Sequence, residues 1–147
     1  MILLVNKKAK FDYEFGKTFQ AGIVLGGAEV KSLRNKSGSL RGSFVKIIGN
    51  EAFLLNAQIT PYKFADNREY DPKKTRKLLL SKKELFELKQ WESTKGWSLI
   101  PVSFELKNKK IKLNLAVARG KKQFEKREIL KQRSIKKDLD RYLKNRV

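Results

Sequence analysis

Polar and apolar residues alternate along much of the chain with the two-residue period of a half-buried strand. Phe11, Tyr13 and Phe15 carry one such run, and Phe19, Ala21, Ile23 and Leu25 a second, with Asp12, Glu14, Gln20 and Gly22 between them. The period predicts two antiparallel strands at the start of the fold. Gly26-Gly27 then breaks the alternation, and Val30 and Leu33 stand three apart in residues 28–34. That spacing predicts a short helix with Glu29, Lys31 and Arg34 away from its apolar side. Next come Phe44-Val45-Lys46-Ile47-Ile48 and Glu51-Ala52-Phe53-Leu54-Leu55, which flank Gly49-Asn50. A two-residue turn that readily takes positive φ between two apolar runs predicts a hairpin.

From Thr60 to Arg76 the pattern fails, and Pro61, Asp66-Asn67, Asp71-Pro72 and five basic residues predict a long exposed loop. Loops of that length inside compact domains are usually functional. Residues 77–80 form a candidate strand leading into a helix that begins at Ser81. There Ser-Lys-Lys-Glu matches a capping box, in which the Ser81 hydroxyl accepts from the Glu84 amide while Glu84 reaches back. Leu85, Leu88 and Trp91 make its buried side, and Gly96 fits the left-handed position past its end. A last hairpin spans residues 99–107 and 110–118 across Asn108-Lys109, with Val102, Phe104, Leu106, Ile111, Leu113, Leu115 and Val117 alternating. Six or so strands with one short and one longer helix predict a mainly β fold, a small closed barrel of the oligonucleotide-binding type with two or three flanking helices.

Charge changes the picture at the end of the chain. The formal net charge is +20 with a pI near 10.2, and the basic density is heaviest in the last fifth. Such a surface repels itself unless phosphates neutralise it, so the expected partner is a polyanion, RNA above all. With 147 residues and 40% apolar content the chain buries one core. We therefore expect a barrel over residues 1–119 and a basic tail over residues 120–147. In that tail Ile135, Leu139, Tyr142 and Leu143 keep helical spacing. The stripe fits a helix folded back on the barrel, or a segment that is disordered alone and becomes helical when phosphates offset its repulsion; the charge favours the second. A membrane-surface helix fits poorly, because the apolar side is thin and only Tyr142 marks an interface.

Composition also limits the chemistry. The chain has no cysteine and no histidine, which removes thiol nucleophiles, disulfides, imidazole acid-base pairs and the usual zinc, iron and copper sites. The opening Met1-Ile2-Leu3-Leu4-Val5 is far shorter than a signal-peptide core, so a cytoplasmic protein is expected. Glu29, Asp66, Glu69 and Asp71 are the carboxylates that a Mg²⁺-dependent nuclease would use, but they sit among lysines and arginines, and surface ion pairs are the better reading. Gly26-Gly27 lacks the further glycine and the Lys-Ser/Thr ending of a phosphate loop. Tyr62, Phe64 and Tyr70 stand in the basic loop, where rings either stack on unpaired bases or anchor the loop. No catalytic group, cofactor or metal is expected.

Four motifs, in order, resemble the SsrA-binding protein (SmpB) family. The opening Asn6-Lys7-Lys8-Ala9 through Tyr13 is similar to its first signature, and Ala21-Gly22-Ile23-Val24-Leu25-Gly26-Gly27-Ala28-Glu29-Val30-Lys31-Ser32-Leu33-Arg34 to its second. Ile59 to Tyr62, Asp71-Pro72 and Arg76 to Leu80 resemble the third, and Gly120-Lys121-Lys122-Gln123-Phe124-Glu125-Lys126-Arg127-Glu128 the fourth. The resemblance implies a non-enzymatic adaptor that binds the tRNA-like domain of transfer-messenger RNA and enters stalled ribosomes in trans-translation. A general RNA-binding or ribosome-associated barrel is the alternative.

By matching position, the resemblance implies an RNA surface of Asn6, Lys7, Lys8, Gly26, Glu29, Lys31, Arg34, Tyr62, Lys73, Lys74 and Arg76. Glu29 would accept from base or 2′-hydroxyl donors or position a neighbouring arginine. For the tail it implies a ribosomal role in the decoding centre and empty mRNA channel, carried by Lys121, Lys122, Phe124, Glu125, Lys126, Arg127, Lys131, Arg133, Ile135, Lys136, Lys137, Arg141, Tyr142 and Lys144. Elongation factor Tu is a further expected contact; a membrane, DNA and a second copy of the chain are not. Three positions depart from the family pattern. Gly26 and Ala28 replace hydroxyl residues, so backbone amides would serve there; Ile135 stands where many members carry Trp; and Phe124 cannot hydrogen-bond as His would.

Overall fold

The computed structural model of the chain describes residues 1–121, 133 and 135–137. In chain order its elements are β1 (Ile2–Val5), α1 (Lys7–Asp12), β2 (Tyr13–Ile23), α2 (Gly27–Arg34), β3 (Gly38–Ser39), β4 (Phe44–Ile48), β5 (Glu51–Leu55), β6 (Gln58–Ile59), β7 (Arg76–Leu79), α3 (Lys82–Ser93), β8 (Trp97–Lys107) and β9 (Lys110–Gly120). Six antiparallel strands follow one another round a ring in the order β8-β4-β5-β7-β2-β9, and β9 pairs back onto β8. The expected mainly β class is what the chain adopts. β1 lies outside the ring on β8, and β3 and β6 form a separate two-stranded ladder.

Inward positions of every ring strand meet in one cluster, among them Phe19, Val45, Leu54, Leu78, Leu99, Phe104, Leu113 and Leu115. Leu33 of α2 and Leu88 of α3, both fully buried, belong to the same cluster. Each such side chain contributes about 1.5–3 kcal/mol by leaving water. The two predicted hairpins form as the turn chemistry dictates. Gly49 takes φ 61°, and Asn108 and Lys109 take φ 50° and 65°, the left-handed pair that matches strand twist. α3 starts at the expected capping box, with the Glu84 amide donating to Ser81 Oγ and the Ser81 amide to Glu84 Oε1, each at 3.2 Å. Gly96 has φ 88°, as anticipated past the helix end.

The start of the chain differs from the periodic reading. Phe11 belongs to α1, and Tyr13, Phe15, Phe19, Ala21 and Ile23 lie on one eleven-residue strand in place of two. Asn6 decides the first point: its Oδ1 accepts from the Ala9 amide at 3.2 Å, its Nδ2 donates to Pro101 O at 2.9 Å, and its own amide donates to Val102 O at 2.8 Å. One buried side chain thus starts a helix and bolts it to β8. A bulge explains the second. Register slips between Phe15↔Ala118 and Thr18↔Ala116, so the extra residue moves Phe15 to the outer face with Ala9, Ile100 and Ala118, while Phe19 points inward. Gly16 sits in that bulge, where a Cβ would lie 2.9 Å from Val117 Cγ2. β8 slips likewise between Pro101 and Ser103, a position suited to a proline with no amide to donate.

Candidate nucleic-acid interface

Glu29 occupies the first turn of α2, and the sequence pattern placed it on the outer side. The structure corrects this: Glu29 is 3% exposed. Its Oε1 accepts from the Gly26 amide at 3.0 Å and lies 3.3 Å from Lys74 Nζ. Its Oε2 accepts from Arg76 Nε at 2.7 Å and from the Tyr70 hydroxyl at 3.1 Å. An acidic group at this helix end suits the unpaired amides and the positive end of the helix dipole.

Arg76, the first residue of β7, is 2% exposed, not part of the exposed loop as its neighbours suggested. Its five N–H donors are all engaged. Nε faces Glu29; Nη1 donates to Ala57 O at 2.8 Å and Lys74 O at 3.1 Å; Nη2 donates to Pro72 O at 3.0 Å and Tyr70 Oη at 3.2 Å. The single Tyr70 hydroxyl hydrogen is shared between Glu29 Oε2 and Ile59 O, the latter 2.9 Å from the phenol oxygen. The pair therefore ties α2, β6, β7 and the long loop into one body. Burial pushes the Glu29 carboxyl up, but the Gly26 amide, Arg76 and Lys74 together pull it down by more, so it stays ionised below its ordinary 4.5. Burial, then the Glu29 charge, push the Tyr70 phenol above its ordinary 10.0.

Both charges are enclosed, and the Glu29 oxygens and the Arg76 N–H groups all have partners within the protein. Gly26 is engaged in the same way, its amide donating to Glu29 Oε1. What the hub presents to solvent is a set of cations and rings. Lys31, Arg34, Lys73 and Lys74 are exposed. Lys31 Nζ stands 5.5 Å from the Tyr62 ring centre and Lys74 Nζ 5.8 Å from that of Tyr70. Tyr62 meets Phe64 edge-on at 5.5 Å. The four carboxylates considered for a metal do not converge: Asp66 pairs with Arg68 at 2.8 Å, and Asp71 Oδ1 accepts from the Lys73 amide.

Asn6, Lys7 and Lys8 were expected on the face of Glu29. Among the described residues no hydrogen bond or ion pair joins the two groups. Asn6, Lys7 and Lys8 share an open cleft of about 460 Å³ with Phe11, Ser39, Arg41 and Arg133. Lys8 Nζ and the Arg133 guanidinium lie 5.6 and 5.5 Å from the Phe11 ring centre. Lys121 is anchored beside α1, its amide donating to Asp12 O at 2.8 Å and its Nζ to Lys10 O at 3.0 Å. Arg133, Ile135, Lys136 and Lys137 are helical and exposed. Lys122, Phe124, Glu125, Lys126, Arg127, Lys131, Arg141, Tyr142 and Lys144 lie outside the described residues. Sequence reasoning passed over Phe11 and Arg41, and it left Tyr70 undecided between stacking and anchoring; a tyrosine six residues before an arginine carries no signal of a shared partner.

Fold and site together define a class: small, strongly basic β-ring proteins whose exposed cations and rings suit a polyanion. Residues 3–145 match a family described as SmpB protein. The SsrA-binding protein of Persephonella marina is 44% identical over 146 residues, covering 99% of this chain and 96% of the relative. That of Borreliella burgdorferi is 46% identical over 143 residues, with coverage of 97% and 95%. A chain from the solved structure "tmRNA-SmpB: a journey to the center of the bacterial ribosome" superposes with a TM-score of 0.71 at 40% identity, covering 84% of this chain and 87% of that one. The chain belongs to the SmpB family. Among the described residues no helix is long and apolar enough to cross a membrane.

Proposed function

We propose that the protein is a non-enzymatic adaptor of trans-translation in the cytoplasm, whose body binds the tRNA-like domain of transfer-messenger RNA and accompanies it to stalled ribosomes. The family match over nearly the whole chain carries this reading. The charge of +20 and the cation-and-ring surface around the Glu29–Arg76 hub support it. In this reading Lys31, Arg34, Tyr62, Lys73 and Lys74 meet the RNA, Glu29 and Arg76 hold them in place, and Asn6 positions Lys7 and Lys8. Residues 120–147 form a separate ribosome-directed tail that enters the decoding centre and mRNA channel, and elongation factor Tu is a further contact.

Competition binding tests the first half. A transfer-messenger RNA fragment containing the tRNA-like domain is expected to outcompete excess unrelated RNA at physiological salt. Affinities that differ little between RNAs and fall together as salt rises would establish a general RNA-binding protein instead. Truncation after Arg127 is expected to keep that binding and abolish peptide tagging on stalled ribosomes; equal loss of both would remove the division of labour.

A further inference from the structure

Phe64 is 76% exposed, more than Phe86 or Met1, each at 65%. A ring left in water forgoes about 1.5–3 kcal/mol that burial would return. The loop holding it is not free to turn it inward. Ala65 N donates to Tyr62 O at 3.0 Å and Asn67 Nδ2 to the same oxygen at 2.8 Å, closing a tight turn around Phe64. Beyond that turn the loop is fixed through Tyr70 and Arg76 to the buried hub. Tyr62 supports the ring at an interplanar angle of 70°, which braces it without covering it in parallel. Cations surround the step: Lys63 Nζ lies 4.8 Å from the Phe64 centre and Lys31 Nζ 5.5 Å from that of Tyr62.

We propose that Phe64 is a stacking platform for one unpaired base of the bound RNA, with Lys63 taking a neighbouring phosphate. The inference rests on the RNA-binding reading above and adds a contact that charge alone does not supply. A flat apolar ring beside ammonium groups matches the two faces of a splayed nucleotide, π surface and phosphate. The surrounding positive charge disfavours a purely apolar segment, and the exposed flat ring favours a base-bearing anion over an acidic peptide. A rigid loop lowers the ordering cost at binding, so the ring is presented ready for use.

Titration of the full chain with the tRNA-like RNA fragment over a salt series tests this. Phe64→Ala is expected to weaken binding roughly 5- to 100-fold with an unchanged salt slope. Phe64→Trp should bind as well as the original, whereas Phe64→Leu should resemble Phe64→Ala. Lys63→Ala should instead reduce the salt slope by about one. Equal affinity of the original and Phe64→Ala overturns the proposal, as does full rescue by Leu, which would mean apolar filling without stacking. An unrelated RNA titrated alongside with the unmodified chain reads its preference for the tRNA-like fragment, so failure of the functional reading is seen separately.

Discussion

Two connections between strands reach order by opposite routes. β8 and β9 are joined by Asn108-Lys109 alone and held by a long ladder from Trp97↔Arg119 to Lys107↔Lys110, interrupted once by the slip between Pro101 and Ser103. Residues 60–75 have no ladder, yet they are held through Tyr70 and the backbone carbonyls of Pro72 and Lys74, which converge on Arg76 and thus on Glu29. Stability in the hairpin is spread over many small terms. In the loop it is gathered into one enclosed ion pair, and such a pair is only as good as its full set of partners.

The sharpest way to break the comparison is Arg76→Ala. It strands the Glu29 carboxylate and frees four carbonyl and hydroxyl contacts, so unfolding in urea is expected to show a loss of about 3–5 kcal/mol. Hydrogen exchange should accelerate first in residues 60–75 and leave β8 and β9 protected; uniform acceleration would show that the hub does not control the loop selectively. A smaller effect is expected from acid. The folded Glu29 carboxyl lies below its unfolded value of 4.5, so its contribution is fully present above pH 4.5 and lost as pH falls through the folded value. Urea midpoints measured downward from pH 7 should therefore fall more steeply in the original chain than in Glu29→Gln; parallel curves would contradict the direction given. The smallest change is in the hairpin turn. Lys109 holds φ 65° at a steric cost that glycine does not bear, so Lys109→Gly should raise stability by up to about 1 kcal/mol, seen as a higher urea midpoint without altered exchange in the loop.

The contrast also explains what could be read in advance. Both hairpins, the capping box at Ser81 and the long loop were legible, because turn residues, alternation and capping act over a few positions. α1 was not legible. Phe11, Tyr13 and Phe15 keep a strand period, and six helical residues are too few to show a 3.6-residue one. Glu29 was read as exposed because its neighbours Lys31 and Arg34 are exposed and its partner lies 47 residues away. Phe64 and Tyr70 looked alike in sequence; one is held out in solvent and the other is drawn into the hub.

The sequence by itself determined a basic, mainly β protein with its turns, caps and family, since these depend on residue type and short spacing. Tertiary structure alone decided the face on which Phe15 lies and the burial of Asn6, Glu29 and Arg76. Those outcomes depend on which distant groups meet in space, where loss of water makes one satisfied charge pair worth keeping and an unsatisfied one too costly to bury.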